Sequence, residues 1–145
     1  YRAVKLAGSN EFYAMDVEIK RVVVSERQRG VPLLLAVIEY PACELPGGYF
    51  DKYYTLMRDN ATEWLYKCEI PRVRTEFSDI ISVNRSPRFA RYDYRLTCKV
   101  LNRQGVIAVE CNFNYSRGGT PINQSSTRQL WSMSDGLMLK KQKKS

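Results

Sequence analysis

The stretch 92–115, YDYRLTCKVLNRQGVIAVECNFNY, constrains this fold more than any other part of the chain. Tyr92, Tyr94, Leu96, Cys98 and Val100 alternate with Asp93, Arg95, Thr97 and Lys99, the period-two pattern of a half-buried strand. Ile107, Val109, Cys111, Phe113 and Tyr115 repeat it, with Ala108, Glu110, Asn112 and Asn114 on the other face. Folding the two runs about Gln104-Gly105 sets Cys98 against Cys111, Leu96 against Phe113, Tyr94 against Tyr115 and Lys99 against Glu110. Directly opposed residues are the ones that interact in an antiparallel ladder, and a one-residue slip would separate all of these pairs. A three-residue loop with a bulge at Gly105 is the alternative near the turn. Cys98 and Cys111 read as a cross-strand disulfide, with two buried reduced thiols as the competing reading.

Glycosylation signals bear on that choice. Four of the seven Asn lie in Asn-X-Ser/Thr, at Asn60, Asn84, Asn114 and Asn123, where chance would supply roughly one. Asn114 falls on the polar face of the hairpin and the other three in stretches that read as loops. Pro87 follows the acceptor Ser86 and weakens Asn84. Sequons and an even cysteine count together point to an oxidising compartment. Four cysteines allow three pairings. If Cys98 pairs with Cys111, Cys43–Cys68 follows by elimination.

The 145 residues, 44% hydrophobic and 12% aromatic, suit a single β-rich domain, 1–145, with its own core and a basic C-terminal tail, 140–145. The longest apolar run, from Val31 to Ile38, contains Pro32 and is far too short to span a bilayer. No charged-then-apolar leader starts at Tyr1. The expectation is therefore a mature secreted chain, or the ectodomain of a longer protein at a cell or virion surface.

Taken in order, residues 1–10 read as a frayed arm. Residues 12–40 read as a second hairpin with a bulge near Lys20-Arg21, a charged turn at ERQRG (26–30) and a core strand at 32–40. PACELPGG (41–48) is turn chemistry. In 49–57, Phe50, Tyr53, Tyr54 and Met57 have helical spacing, so one short helix is expected near 49–58, although the aromatics also suit a strand. Trp64, Tyr66, Cys68 and Ile70 alternate and read as a strand stopped by Pro71. Residues 73–83 read as a weaker strand or two. SRGGTPINQSST (116–127) reads as a long polar loop, and 130–133 and 137–139 as the last apolar pieces. Short strands at regular spacing predict a mainly-β chain, an antiparallel β-sandwich of Ig-like or related type.

The strand VIAVECNF (106–113) resembles the one that carries the last cysteine of zona-pellucida-type N-terminal domains. The resemblance covers eight residues and implies an Ig-like β-sandwich with two disulfides. That family spaces its third and fourth cysteines much farther apart than Cys98 and Cys111.

Without a histidine the chain has no Ser-His or Cys-His nucleophile system. Asp51, Asp59, Asp79, Asp93 and Asp135 are scattered among basic neighbours, and no phosphate-binding glycine loop occurs. The expectation is a non-enzyme with no cofactor and no metal. A net charge of +8 selects acidic partners. Arg72, Arg74, Arg85, Arg88 and Arg91, with Phe89, Tyr92 and Tyr94 nearby, have the composition of an interface anchor. Lys140, Lys141, Lys143 and Lys144 form a terminal charge run. The leading reading is a secreted or cell-surface glycoprotein domain, of host or viral origin, that binds an acidic protein, a receptor or a sulfated, heparin-like glycan. The rival is an intracellular nucleic-acid-binding β-domain that uses segment 72–94 and the lysine tail. The secretory signals demote nucleic acid.

Overall fold

The computed structural model describes residues 3–5, 12–14, 17–83 and 88–139. It is mostly strand with one helical insertion, as the mainly-β expectation required. A small ladder pairs β1 (Ala3–Lys5) with β2 (Phe12–Ala14), so part of the expected frayed arm is strand. The main sheet has five strands in chain order: β3 (Glu18–Gln28), β4 (Val31–Ala42), β5 (Tyr92–Arg103), β6 (Val106–Arg117) and β7 (Thr120–Ser132).

The central hairpin has the expected register. Cys98 faces Cys111, Leu96 faces Phe113, Tyr94 faces Tyr115 and Lys99 faces Glu110. Gln104 and Gly105 turn it with φ of 51° and 76°, the paired positive dihedrals of a two-residue turn whose twist matches the strands. Strand β4 is the core strand, with Leu33, Leu34, Ala36 and Ile38 buried. The irregularity in the β3–β4 hairpin lies between Glu26 and Arg27, near the turn, rather than at Lys20-Arg21.

Three expectations change. First, β4 and β5 pair in parallel, Leu34 with Tyr92 through Ile38 with Leu96. A parallel pair needs a long crossover, and residues 46–83 provide it. A short 3-10 turn (Pro46–Gly48) leads into α1 (Tyr49–Trp64), a π-helical turn (Leu65–Glu69) and α2 (Ile70–Val83). This helical arm, rather than a second sheet, covers one face of the main sheet. The layers are therefore sheet and helix, not the two sheets of an Ig-like sandwich.

Second, 63–70 and 73–83 are helical. The arm buries Phe50, Tyr54, Ala61 and Leu65, and then Ile70, Val73 and Phe77. Each set is helically spaced, but five residues separate Leu65 from Ile70. The π turn absorbs that offset through the Ile70 N–H bonded to the Leu65 carbonyl, and Pro71, which lacks an N–H, follows directly. The alternation of Trp64, Tyr66 and Cys68 marks no buried stripe, since all three are exposed and Leu65 is fully buried.

Third, the expected loop 116–127 is largely strand. Gly118-Gly119 turns the chain and β7 pairs with β6 as the outer strand. Its residues from Thr120 to Arg128 are exposed. An edge strand with little covering it has no apolar face to alternate, which is why composition alone reads it as a loop.

The covered face carries Val24, Leu34, Ile38, Tyr92, Leu96, Cys98, Val109, Cys111 and Trp131 against the arm's Phe50, Tyr54, Leu65 and Phe77. The opposite face carries Arg21, Arg95, Lys99, Glu110 and Arg128.

Candidate functional site: an arginine–aromatic seam

The π turn and α2 meet the ends of β5 and β6 in a seam of aromatic rings and two arginines. Tyr92 and Tyr115 stack with ring centroids 5.9 Å apart, Tyr94 lies 4.8 Å from Phe113, and Phe89 packs edge-on against Phe77 at 5.8 Å. Trp64, 40% exposed at the end of α1, rests on Tyr94 at 5.7 Å and Tyr115 at 6.2 Å. Register explains the gathering: Tyr92, Tyr94, Phe113 and Tyr115 share one sheet face, and the arm ends over it.

Two guanidinium groups are held against these rings. Arg72 lies 4.8 Å and Arg117 4.6 Å from the Tyr92 centroid, and Arg117 is also 4.9 Å from that of Phe89. Such contacts are worth about 0.5–2 kcal/mol each, more where water is excluded. Arg72 Nε donates to Glu69 Oε1 at 2.6 Å and Arg72 Nη2 to the Tyr115 hydroxyl at 3.2 Å. Glu76 ties the cluster together. It accepts from the Tyr92 hydroxyl at 2.8 Å and pairs with Arg117 at 2.8 Å and Arg72 at 3.5 Å. The hydrogen bond that Arg72 donates to Glu69 raises the Arg72 pKa further above its ordinary range, so the group stays charged. Burial raises the Tyr94 pKa.

Glu69 is the unusual member. It is 2% exposed, the one charged residue buried in the core among the described residues. Its Oε1 meets Arg72, while Oε2 is buried with no hydrogen-bond partner. It stands in the π turn, a distortion that recurs at functional sites. Arg72 is half exposed above it, and Cys68, Pro71, Thr75 and Asp79 join Arg72 and Glu76 around a shallow depression.

Three of the described arginines of the basic segment expected from sequence are therefore paired with carboxylates. Arg72 meets Glu69 and Glu76, Arg74 pairs with Glu26 at 2.6 Å, and Arg91 pairs with Asp93 at 2.9 Å. Arg88 is exposed beside Phe89. Arg85 and the tail lysines Lys140, Lys141, Lys143 and Lys144 lie outside the described residues. Sequence reasoning missed Arg117, Trp64, Glu69 and Glu76. Register places Arg117 opposite Tyr92 and was the available signal for it. The other three become visible only once 63–83 is helical.

Of the sequons, Asn60 is exposed on α1, Asn114 on β6 and Asn123 on β7, and Asn84 lies outside the described residues. The Cys98 and Cys111 sulfurs are 3.4 Å apart and buried. The hydrogen bond with Cys111, then burial, raises the Cys98 pKa. Cys43 is buried just past β4, its N–H donating to Asp51 Oδ1, and Cys68 is exposed on the arm. Three other carboxylates considered for chemistry have local partners: Asp59 with Arg58, Asp93 with Arg91, and Asp135 accepting the Leu137 N–H.

No protein-family model and no curated protein matches the chain. Among solved structures, it is similar to a member of the DUF3298 family from Bacteroides fragilis, with a TM-score of 0.52 and 14% identity. The match covers 83% of this chain but 57% of that structure, so the chain spans little more than half of its length. At that identity the likeness concerns the fold alone.

Proposed function

We propose that the protein is an extracellular or cell-surface binding module, with the arginine–aromatic seam as the centre of its contact surface. One observation carries this reading: exposed Trp64 and half-exposed Arg72 are both locked in place by buried rings and carboxylates. Trp, Tyr and Arg dominate the energetics of protein interfaces, and rigid anchors lose little entropy on binding. The partner is an acidic protein surface, a receptor or a sulfated glycan. It meets Arg72, Arg117 and Arg88 at the rim, with Trp64 and Tyr66 (60% exposed) supplying apolar contact. Exposed sequons at Asn60, Asn114 and Asn123 favour the oxidising compartment. No helix among the described residues is long and apolar enough to cross a membrane.

The nucleic-acid reading loses ground on geometry. Base stacking needs open ring faces, and Tyr92, Tyr94 and Tyr115 are buried.

Two measurements test the proposal. Intact mass of the native protein, with and without glycosidase and reductant, should show glycan mass and bridged cysteines; bare mass with four titratable thiols would remove the extracellular reading. On immobilised heparin the protein should elute above physiological salt. The pair Arg72→Gln and Arg88→Gln should lower the eluting salt more than the pair Arg21→Gln and Arg95→Gln on the opposite sheet face, and equal shifts would dismiss the seam as the contact centre.

A further inference from the structure

Strand β3 is an outer strand of the main sheet, and among the described residues it pairs only with β4. Its other edge presents a row of backbone N–H and C=O groups that can template a further strand. Outer strands are usually blunted by proline, by a bulge or by being short. Here none of these operates. The strand is 11 residues long, EIKRVVVSERQ, with neither Pro nor Gly. The irregularity near its end is taken up by Leu33 on β4, which has no partner on β3, so the outer edge stays regular. Val22, Val23 and Val24 run through its centre. Val22 and Val24 pack inward, while Val23 is 56% exposed and Ile19, on the same face, 44% exposed. The sheet's other outer strand, β7, carries the Asn123 sequon; no sequon lies on β3 or β4.

We propose that β3 is the interface of a homodimer. It pairs with β3 of a second copy, antiparallel about a two-fold axis through Val23, and joins two five-stranded sheets into one.

Charge selects both this occupant and this register. Charged side chains on an outer strand ordinarily repel a neighbour. With the axis on Val23 they match: Lys20 lies opposite Glu26 of the second copy, and the symmetry makes that pair twice. Val22 meets Val24, Val23 meets Val23, Arg21 meets Ser25, Ile19 meets Arg27 and Glu18 meets Gln28. No like charges are opposed, and β-branched residues fill the centre. Antiparallel partners must match faces, so the neighbouring registers place the axis on Val22 or on Val24. The first opposes Glu18 to Glu26 and the second opposes Arg21 to Arg27, each twice. Lys20 is exposed and makes no ion pair among the described residues, whereas Glu26 already holds Arg74 on its own chain.

Sedimentation velocity of the full chain should show a monomer–dimer equilibrium that depends on concentration. Val23→Lys sets two like charges face to face on the axis and should weaken association at least about fivefold, with the far-UV circular dichroism unchanged because the position is exposed. Val23→Thr keeps the branched side chain and should leave the dimer intact. Lys20→Glu opposes Glu26 twice and should weaken it about tenfold. Register is read by cross-linking in a Cys68→Ser background, which removes the exposed thiol. Val23→Cys meets itself with Cβ atoms about 5 Å apart, and mild oxidation should give a covalent dimer. Ile19→Cys should not, because its two copies lie roughly 27 Å apart along the strands. A monomer at every concentration up to about 0.1 mM would overturn the proposal. So would a dimer indifferent to Val23→Lys, or cross-linking by Ile19→Cys as efficient as by Val23→Cys.

Discussion

Replacing Tyr54 by Phe removes one oxygen from the middle of the core and tests how the arm is fastened to the sheet. Tyr54 is fully buried, and its hydroxyl donates to Gln129 Oε1 at 2.9 Å while accepting from Trp131 Nε1 at 2.9 Å. Phe keeps the ring and its contacts with Phe50 and Trp131, so no ring-sized cavity opens. Two hydrogen bonds go, at about 1 kcal/mol each, and the indole N–H of Trp131, itself 2% exposed, is left buried without an acceptor, at about 1–3 kcal/mol. Because these contributions overlap, the expected loss is about 3 kcal/mol. With a urea m-value of about 2 kcal/mol/M the midpoint falls by roughly 1.5 M, and Tm drops by roughly 10 °C. Urea unfolding followed by circular dichroism measures it, with Tyr53→Phe as control. Tyr53 is 39% exposed and packs by its ring, so that control should stay within about 0.5 kcal/mol of the parent. A Tyr54→Phe protein as stable as the control would refute the fastening role of this hydroxyl.

Burial raises the Tyr54 pKa well above the usual phenol value, and burial raises that of Tyr94 as well. The unfolded chain loses these protons first, so stability is fully present below about pH 10 and declines as pH rises beyond it, by up to about 1.4 kcal/mol per pH unit per group; urea midpoints from pH 8 to 11.5 should show the decline, and Tyr54→Phe should flatten it. Leu65→Ala should cost about 2–5 kcal/mol and Tyr66→Ala less than about 0.5 kcal/mol, since Leu65 is 0% and Tyr66 60% exposed; the opposite order would restore the strand reading of 63–70. Arg72→Ala strands the buried Glu69 carboxylate and should cost about 2–3 kcal/mol, less than a wholly buried pair because the Arg72 end is wet. Adding Glu69→Gln should recover most of that loss in a double-mutant cycle, and no recovery would mean that Arg72 acts through packing alone.

The sequence determined the central hairpin by itself. In 92–115 one face is covered and the other open, so burial writes itself into alternate residues, and Gln104-Gly105 marks the turn between them. Register, cysteine opposition and the Lys99–Glu110 pair all follow from that local geometry. The apolar run 32–40 identified the core strand because a strand inside a sheet has little polar surface to show. Tertiary structure alone decided the second layer. Residues 63–70 carry a period-two pattern by accident of composition, while their helical stripe is broken by the π turn, whose extra residue hides the phase shared by Leu65 and Ile70. The exposed edge strand 120–132 buries so little that its composition matches a loop. The seam also depended on the crossover, since Trp64, Glu69, Arg72 and Glu76 are more than fifteen residues from Tyr92 in sequence and meet it only when the arm lies across the sheet.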